Sequence, residues 1–266
     1  MAIQLSARAQ GVLVDLALAK AFDGPVPLVL IGTHALAGYE LMLGRKPDAE
    51  LLASRDVDFA NDRCLSAAVL AEAPELNLPD ILQRNGFVWE PSRVDDEAGI
   101  VYDKWFCGTD KMEILTHRQG NDPKPVKLPK LGVARAEPLP WLNYLCSEPV
   151  DVALPLRTPV SIKVPAPERF VWHKLAVAGV RKEIQKIKKD VLQAGFVAEG
   201  LLEAGGRSRL VDAWHSIPKG KFGKLIRQQL QSGLLPEALA HQLSAITDDL
   251  DSRSAKQPAQ HGSRRR

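Results

Sequence analysis

Four consecutive residues, Asp56-Val57-Asp58-Phe59, alternate acidic with apolar side chains, and this alternation constrains the fold more than any other stretch. A helix would spread the four side chains around its circumference. A strand puts Asp56 and Asp58 on one face and Val57 and Phe59 on the other. The apolar pair then anchors the strand in a core, while the acidic pair is held rigidly side by side on an open face.

The flanking patterns extend this strand into a mixed α/β domain. Residues 6–21 carry apolar side chains at helical spacing behind a Ser6 cap, and Asp23-Gly24-Pro25 stops that helix. Residues 26–31 form a short, branched, apolar run ending at Gly32, the pattern of a buried strand, and residues 33–43 resume helical periodicity. Helices are expected at 65–72 and 79–84, then strands at 86–89, 100–106 and 112–115 separated by turn residues such as Gly108-Thr109-Asp110. Residues 119–140, rich in Pro, Lys and Gly, read as a loop or irregular connection with room for hidden short strands, and 149–164 hold two more short branched runs. Beyond Pro165-Ala166-Pro167 a single long helical pattern covers 168–194, followed by helices at 196–204, 208–216, 222–232 and 236–251, broken at Gly205-Gly206 and Pro218. The expected fold is α/β of the α+β kind: a small mixed-sheet domain over 1–164, a mostly helical domain over 165–251 and a polar tail over 252–266 without fixed structure.

Composition narrows the setting. The chain has 266 residues, 45% of them apolar, enough for a large core without disulfides. Its three cysteines, Cys64, Cys107 and Cys146, are too far apart for a CxxC site. No apolar run approaches the roughly 20 residues of a membrane span, and the N-terminus lacks a basic-then-apolar signal pattern, so a soluble cytoplasmic protein with no membrane partner is expected. The net charge of +3 is too small to argue for nucleic-acid binding by itself. Its distribution says more: residues 48–97 are acid-rich, whereas Arg181, Lys182, Lys186, Lys188, Lys189, Lys219, Lys221, Lys224 and Arg227 cluster later. An acidic site facing a basic partner surface suits a metal-bound polyphosphate; a solvated helix face accounts for the lysines equally well.

Phosphoryl and nucleotidyl transfer need a divalent cation to offset charge in the transition state, and carboxylates on a rigid strand hold such a cation. Upstream, the Gly32-Thr33 turn sits where a strand feeds a helix, where backbone N–H groups and a hydroxyl can cradle phosphate. A tight-turn glycine and a helix-capping threonine are the structural alternatives. His34 is a secondary candidate. His117, His173 and the cysteines lack zinc-ligand spacing, and neither a Gly-x-Ser-x-Gly turn nor a GxxxxGK[ST] loop occurs.

Leu30-Ile31-Gly32-Thr33-His34-Ala35-Leu36 followed by Ser54-Arg55-Asp56-Val57-Asp58-Phe59 resembles the nucleotidyltransferase superfamily signature, a Gly-Ser or Gly-Gly turn, a helix, then a strand with Asp-x-Asp or Asp-x-Glu. The resemblance implies a third carboxylate from a later strand, Glu113 in Lys111-Met112-Glu113-Ile114-Leu115, with Asp110 as runner-up. Residues 167–175, with Lys174, then Arg181 and Asp190, are similar to a motif of a bacterial subfamily related to abortive-infection nucleotidyltransferase toxins, in which a Lys, an Arg seven residues on and a downstream Asp complete the nucleotide pocket. On one continuous helix Lys174 and Arg181 share a face, about two turns apart, while Asp190 falls nearer the opposite side, roughly two and a half turns further, unless the helix breaks or bends between them. The sequence departs from the pattern at Thr33, in place of a smaller residue, and at Glu113, in place of the more frequent Asp.

The resemblance therefore implies Asp56, Asp58 and Glu113 as catalytic and metal-binding residues, Gly32, Thr33, Lys174 and Arg181 as nucleotide-binding residues, and Mg²⁺ or Mn²⁺ as cofactor. The partners implied are a nucleoside triphosphate, an RNA or protein acceptor and a cognate antitoxin-like protein. The competing expectation is a non-catalytic binding protein that keeps the fold, as one member of a toxin–antitoxin pair.

Overall fold

The computed structural model describes residues 5–61, 73, 75–95, 99–120 and 123–254. The expected helix at 65–72, Cys64 and the tail from 255 onward lie outside the described residues.

Helix α1 (Ala7–Leu18) begins at Ser6, whose Oγ accepts a hydrogen bond from the Ala9 N–H at 3.1 Å. It buries Ala9, Val12, Leu13 and Leu16. Strand β1 (Val29–Ile31) runs into a 3₁₀ turn over Gly32–Ala35, and α2 (Leu36–Leu43) continues from it. A short α3 (Ala49–Leu52) precedes β2 (Asp56–Asn61). After α4 (Leu78–Arg84) come β3 (Val88–Asp95), β4 (Ile100–Cys107) and β5 (Asp110–His117). The sheet order is β1-β2-β5-β4-β3, in which β2 pairs parallel with β5 and the other neighbours are antiparallel. Val57 and Phe59 are 1% and 0% exposed, as the alternation of β2 requires.

Residues 119–140 hold the short strands that their composition leaves room for. Strands β6 (Val126–Leu128) and β7 (Val133–Leu139) pair with each other, and the end of β7 joins the sheet parallel to β5. Buried Asp103 of β4 anchors this excursion by accepting from the Ala134 and Arg135 N–H groups and from Arg135 Nε. Ala134 lies 31 residues from Asp103 in sequence, so no local periodicity marks the contact. A hairpin, β8 (Val150–Leu154) with β9 (Val160–Val164), follows the short helix α5 (Leu142–Cys146) and packs near α1, β1 and α2.

The expected single helix over 168–194 is two helices. Chain direction reverses through 179–183, between α6 (Pro167–Ala178) and α7 (Ile184–Glu203), and α7 packs along α6. The 3.6-residue periodicity continues through both arms, and with no proline at the break the sequence pattern reads straight across it. Tertiary packing selects glycine at the break: a side chain at Gly179 would meet Leu225 at 2.9 Å, where α9 (Lys221–Leu230) packs against α6. Helix α8 (Arg207–His215) lies between them in sequence, and α10 (Glu237–Ser254) runs three residues beyond the expected end of the helical region. Among the described residues no helix is long and apolar enough to cross a membrane.

Candidate active site

Register places the acidic residues. In the parallel β2–β5 pair Asp56 is opposite Lys111 and Asp58 opposite Glu113, and in the β4–β5 pair Glu113 is opposite Lys104. All five side chains therefore share one face of three adjacent strands. On the other flank of β2, Ile31 is opposite Asp58, which brings Gly32 over the Asp58 carboxylate.

Gly32 has φ +67°, and a Cβ there would lie 2.8 Å from Asp58 Oδ2. Glycine is thus required twice, for the left-handed backbone and for the close carboxylate. Gly32→Ala is expected to destabilise the fold by about 1–3 kcal/mol and to displace Asp58. A melting curve beside a metal-binding titration checks both effects, and a variant matching wild type in each would show that the turn does not position the carboxylate.

Asp58 is the group under electrostatic stress. Burial, then the charges of Glu113 and Asp56, push its carboxyl up to about 7 against the opposing pull of Lys111 and Lys174. Its Oδ1 is buried without a hydrogen-bond partner. Glu113 has the opposite environment. Burial alone would raise it, but Lys104 and Lys111 both ion-pair with it and hold its carboxyl below the usual range. Lys111 also reaches Asp56 at 3.2 Å, and Lys104 reaches Glu137 at 3.7 Å. The structure thus brings Asp56, Asp58 and Glu113 onto one face but gives Glu113 two lysine partners. Among the described residues no set of three His, Cys, Asp or Glu side chains is grouped to hold a metal ion. Asp110, the runner-up, is the first residue of β5, next to Lys111, and lines a different cavity.

Thr33 does not cap a helix. It lies within the 3₁₀ turn, 7% exposed, and its Oγ1 accepts from Gln193 Nε2 at 3.1 Å. The same amide donates to the Leu51 carbonyl at 2.8 Å, so fully buried Gln193 ties α7 to the turn. His34 is buried, its ring hydrogen-bonds to the Asp56 backbone, and burial lowers it to about 4, so it is neutral near pH 7.

The turn at 179–183 fixes the placement of Asp190. Because α7 folds back, Asp190 accepts from Lys174 Nζ at 2.6 Å and from Arg181 Nε at 3.1 Å. Burial would raise this carboxyl, but the two cations hold it low. Arg181 itself lies past the end of α6, so it meets Lys174 through the shared aspartate and not along one helical face.

These elements enclose a cleft of about 370 Å³ lined by Gly32, Thr33, Asp56, Asp58, Lys174 and Arg181, with Leu142, Phe170 and Val177 as its apolar wall. Glu113 is not among its lining residues. Two further cations, Lys186 and Lys189, line it as well. Lys189 Nζ donates to the Ala53 carbonyl at 2.7 Å, and its ammonium is held low by burial and by Lys174. In the sequence these two are indistinguishable from the solvated lysines around them. Gln193 escapes sequence reasoning too, since a lone glutamine in a helix carries no motif.

A glycine turn between strand and helix, two aspartates on the neighbouring strand, and a helix pair presenting cations across the cleft define the class: a nucleotidyltransferase-type fold with its cleft between the sheet and the helices. The chain belongs to a nucleotidyltransferase family, whose profile, described as "Nucleotidyltransferase", matches residues 10–218. Among solved structures it is similar to the crystal structure of an antigenic nucleotidyltransferase-like protein from Paracoccidioides brasiliensis, at 13% identity and a TM-score of 0.36, over 94% of this chain and 93% of that one. No curated protein matches.

Proposed function

We propose that the protein transfers a nucleoside monophosphate from a nucleoside triphosphate to a hydroxyl acceptor and releases pyrophosphate. The reading rests on one observation: Asp56 and Asp58, the Gly32-Thr33 turn and the Lys174, Arg181, Lys186 and Lys189 cations all line a single cleft.

The chemistry of the donor set fits a divalent cation, Mg²⁺ or Mn²⁺, at Asp56 and Asp58. The Asp58 Oδ1 lacks a partner, and its ionisation is opposed by two neighbouring carboxylates, an environment that a cation relieves. Glu113 is the third carboxylate on the same face, already neutralised by two lysines. When bound, the cation offsets phosphate charge that develops during transfer. The protein's own groups do the rest. The Gly32-Thr33 backbone lets phosphate approach closely, Lys174 and Arg181 meet its negative charge from a fixed position on Asp190, and the apolar wall of Phe170 and Val177 accepts a base.

A non-catalytic binding protein is the second reading, favoured by the engagement of Glu113 with Lys104 and Lys111. Kinship with abortive-infection toxins, and with it an antitoxin-like partner, rests on the Lys174, Arg181 and Asp190 pattern alone.

Incubating the protein with Mg²⁺, each labelled nucleoside triphosphate, total RNA and total protein separates the two readings. Label transfer is expected with wild type and is expected to drop about a thousandfold in the Asp56→Ala, Asp58→Ala double variant. Lys174→Gln with Arg181→Gln is expected to raise the nucleotide Kd about tenfold or more. Nucleotide binding without transfer to any acceptor would establish the second reading.

A further inference from the structure

His173 of α6 lines the cleft, is only 8% exposed, and its buried Nε2 has no hydrogen-bond partner. We infer that this nitrogen reads the base of the triphosphate and that the base is adenine, whose 6-amino group donates to it. This assignment rests on a triphosphate occupying the cleft, as proposed above.

The fold fixes which ring nitrogen carries the proton. The imidazole hydrogen-bonds to the backbone of Pro140, and a proline offers a carbonyl but no N–H, so the ring is the donor there. With Nε2 unpartnered, that donor is Nδ1. Burial, then the charge of Lys174, lowers the imidazole to about 3, so near neutral pH the ring holds a single proton, on Nδ1. Nε2 is left as a lone-pair acceptor that cannot donate. Buried acceptors without a partner are uncommon in folded proteins, and one in a cleft wall suits a donor supplied by what the cleft binds.

The surroundings choose the base. Phe170, His173 and Val177 share one face of α6 at helical spacing, and Leu139, Leu142 and Leu145 line the same cleft. Lys174 Nζ stands 5.5 Å from the centre of the Phe170 ring, so the phosphate-binding cations begin where this wall ends, and a base joined to phosphates held there lies against it. Among the described residues the side-chain donors of the cleft are Lys174, Arg181, Lys186 and Lys189, with Thr33 and Ser54 beside the aspartates; the wall that carries His173 is hydrocarbon. Guanine, uracil and cytosine each bear a ring carbonyl, and a carbonyl turned against leucine side chains loses its hydrogen bonds to water without replacement. Adenine has no carbonyl, and its amino group meets the one acceptor the wall presents. A hydrocarbon wall with a single acceptor therefore favours adenine over the other three bases.

The test is calorimetric titration of the full chain with the Mg²⁺ complexes of ATP, GTP, CTP, UTP and purine riboside triphosphate, the last being ATP without its 6-amino group. ATP is expected to bind wild type about tenfold or more tightly than each of the others. In His173→Asn the side-chain amide stands in for Nδ1 against Pro140 and nothing replaces Nε2. ATP binding should then weaken to the level of the purine analogue, while the analogue's own affinity stays within about twofold of wild type. Equal binding of ATP and the analogue by wild type, tighter binding of GTP, CTP or UTP, a variant that loses ATP and the analogue in parallel, or no triphosphate binding at all would each overturn the assignment. Label transfer measured alongside separates it from the reaction. Transfer from all four natural triphosphates alike keeps the transfer reading and removes the adenine preference; selective ATP binding without transfer keeps the preference and removes the transfer.

Discussion

Asp58→Asn is expected to abolish nucleotidyl transfer, by about a thousandfold, and at the same time to make the metal-free protein more stable above neutral pH. The opposite signs come from one cause. The folded protein holds the Asp58 carboxyl up near 7, against an ordinary value of 3.8, through burial and the charges of Glu113 and Asp56. Between those two values the folded state binds more protons than the unfolded chain, so the stability contributed by this group is complete below pH 4 and falls away as the pH rises through 7. A shift of this size corresponds to about 4 kcal/mol across that window. The carboxamide of the variant does not titrate, so melting temperatures of wild type and variant, followed from pH 4 to 8, should diverge in the variant's favour by several degrees. Lowered carboxyls such as Glu113 and Asp190 act in the reverse sense in both proteins and cancel in the comparison. Adding Mg²⁺ at pH 8 should stabilise wild type and not the variant, closing the gap. Parallel pH profiles, or equal stabilisation by Mg²⁺, would mean that Asp58 is neither the buried, charge-crowded carboxylate of this structure nor the ligand proposed for it.

Asp190→Ala is expected to have the largest effect on stability. The carboxylate is 4% exposed and holds Lys174 and Arg181. Removing it leaves Lys174, whose side chain is 12% exposed, as a poorly solvated ammonium without a counter-charge. Breaking a buried pair in this way costs about 3–5 kcal/mol; access of Lys174 to the cleft lowers this to about 2–4 kcal/mol. For a chain of this size that is a drop in Tm of about 5–12 °C by calorimetry. Lys174→Met should cost less, because Arg181 still neutralises the aspartate. The Asp190→Ala protein should also bind triphosphate about tenfold more weakly, its two cations no longer being held toward the cleft. A variant that melts with wild type would show that the α6–α7 hairpin is held by its apolar seam alone.

Much of the first half is legible in the sequence because its signals are local. The cap at Ser6, the short run into Gly32 and the alternation at Asp56-Val57-Asp58-Phe59 each depend on residues within one turn or one strand. Their elements appear where the pattern puts them, with the strand into Gly32 shortened to Val29–Ile31. The chain is less legible where a distant partner decides the outcome. Strand β7 depends on Asp103 and β5, and the glycine at the break after Ala178 is selected by Leu225, which packs over it from a distant helix.

That two aspartates stand side by side on a strand behind a glycine turn follows from the order of residues alone, because side-chain direction along a strand is set by the backbone period. What faces those aspartates is a property of the folded chain. The register of β5 against β2 puts Lys111 and Glu113 beside them, and the reversal between α6 and α7 turns Asp190 from the far side of a supposed single helix onto Lys174 and Arg181. The charges that neutralise one carboxylate and strain the next come from residues as distant in sequence as Lys174 is from Asp58, and the pairing of such groups is fixed by packing, which no local pattern encodes.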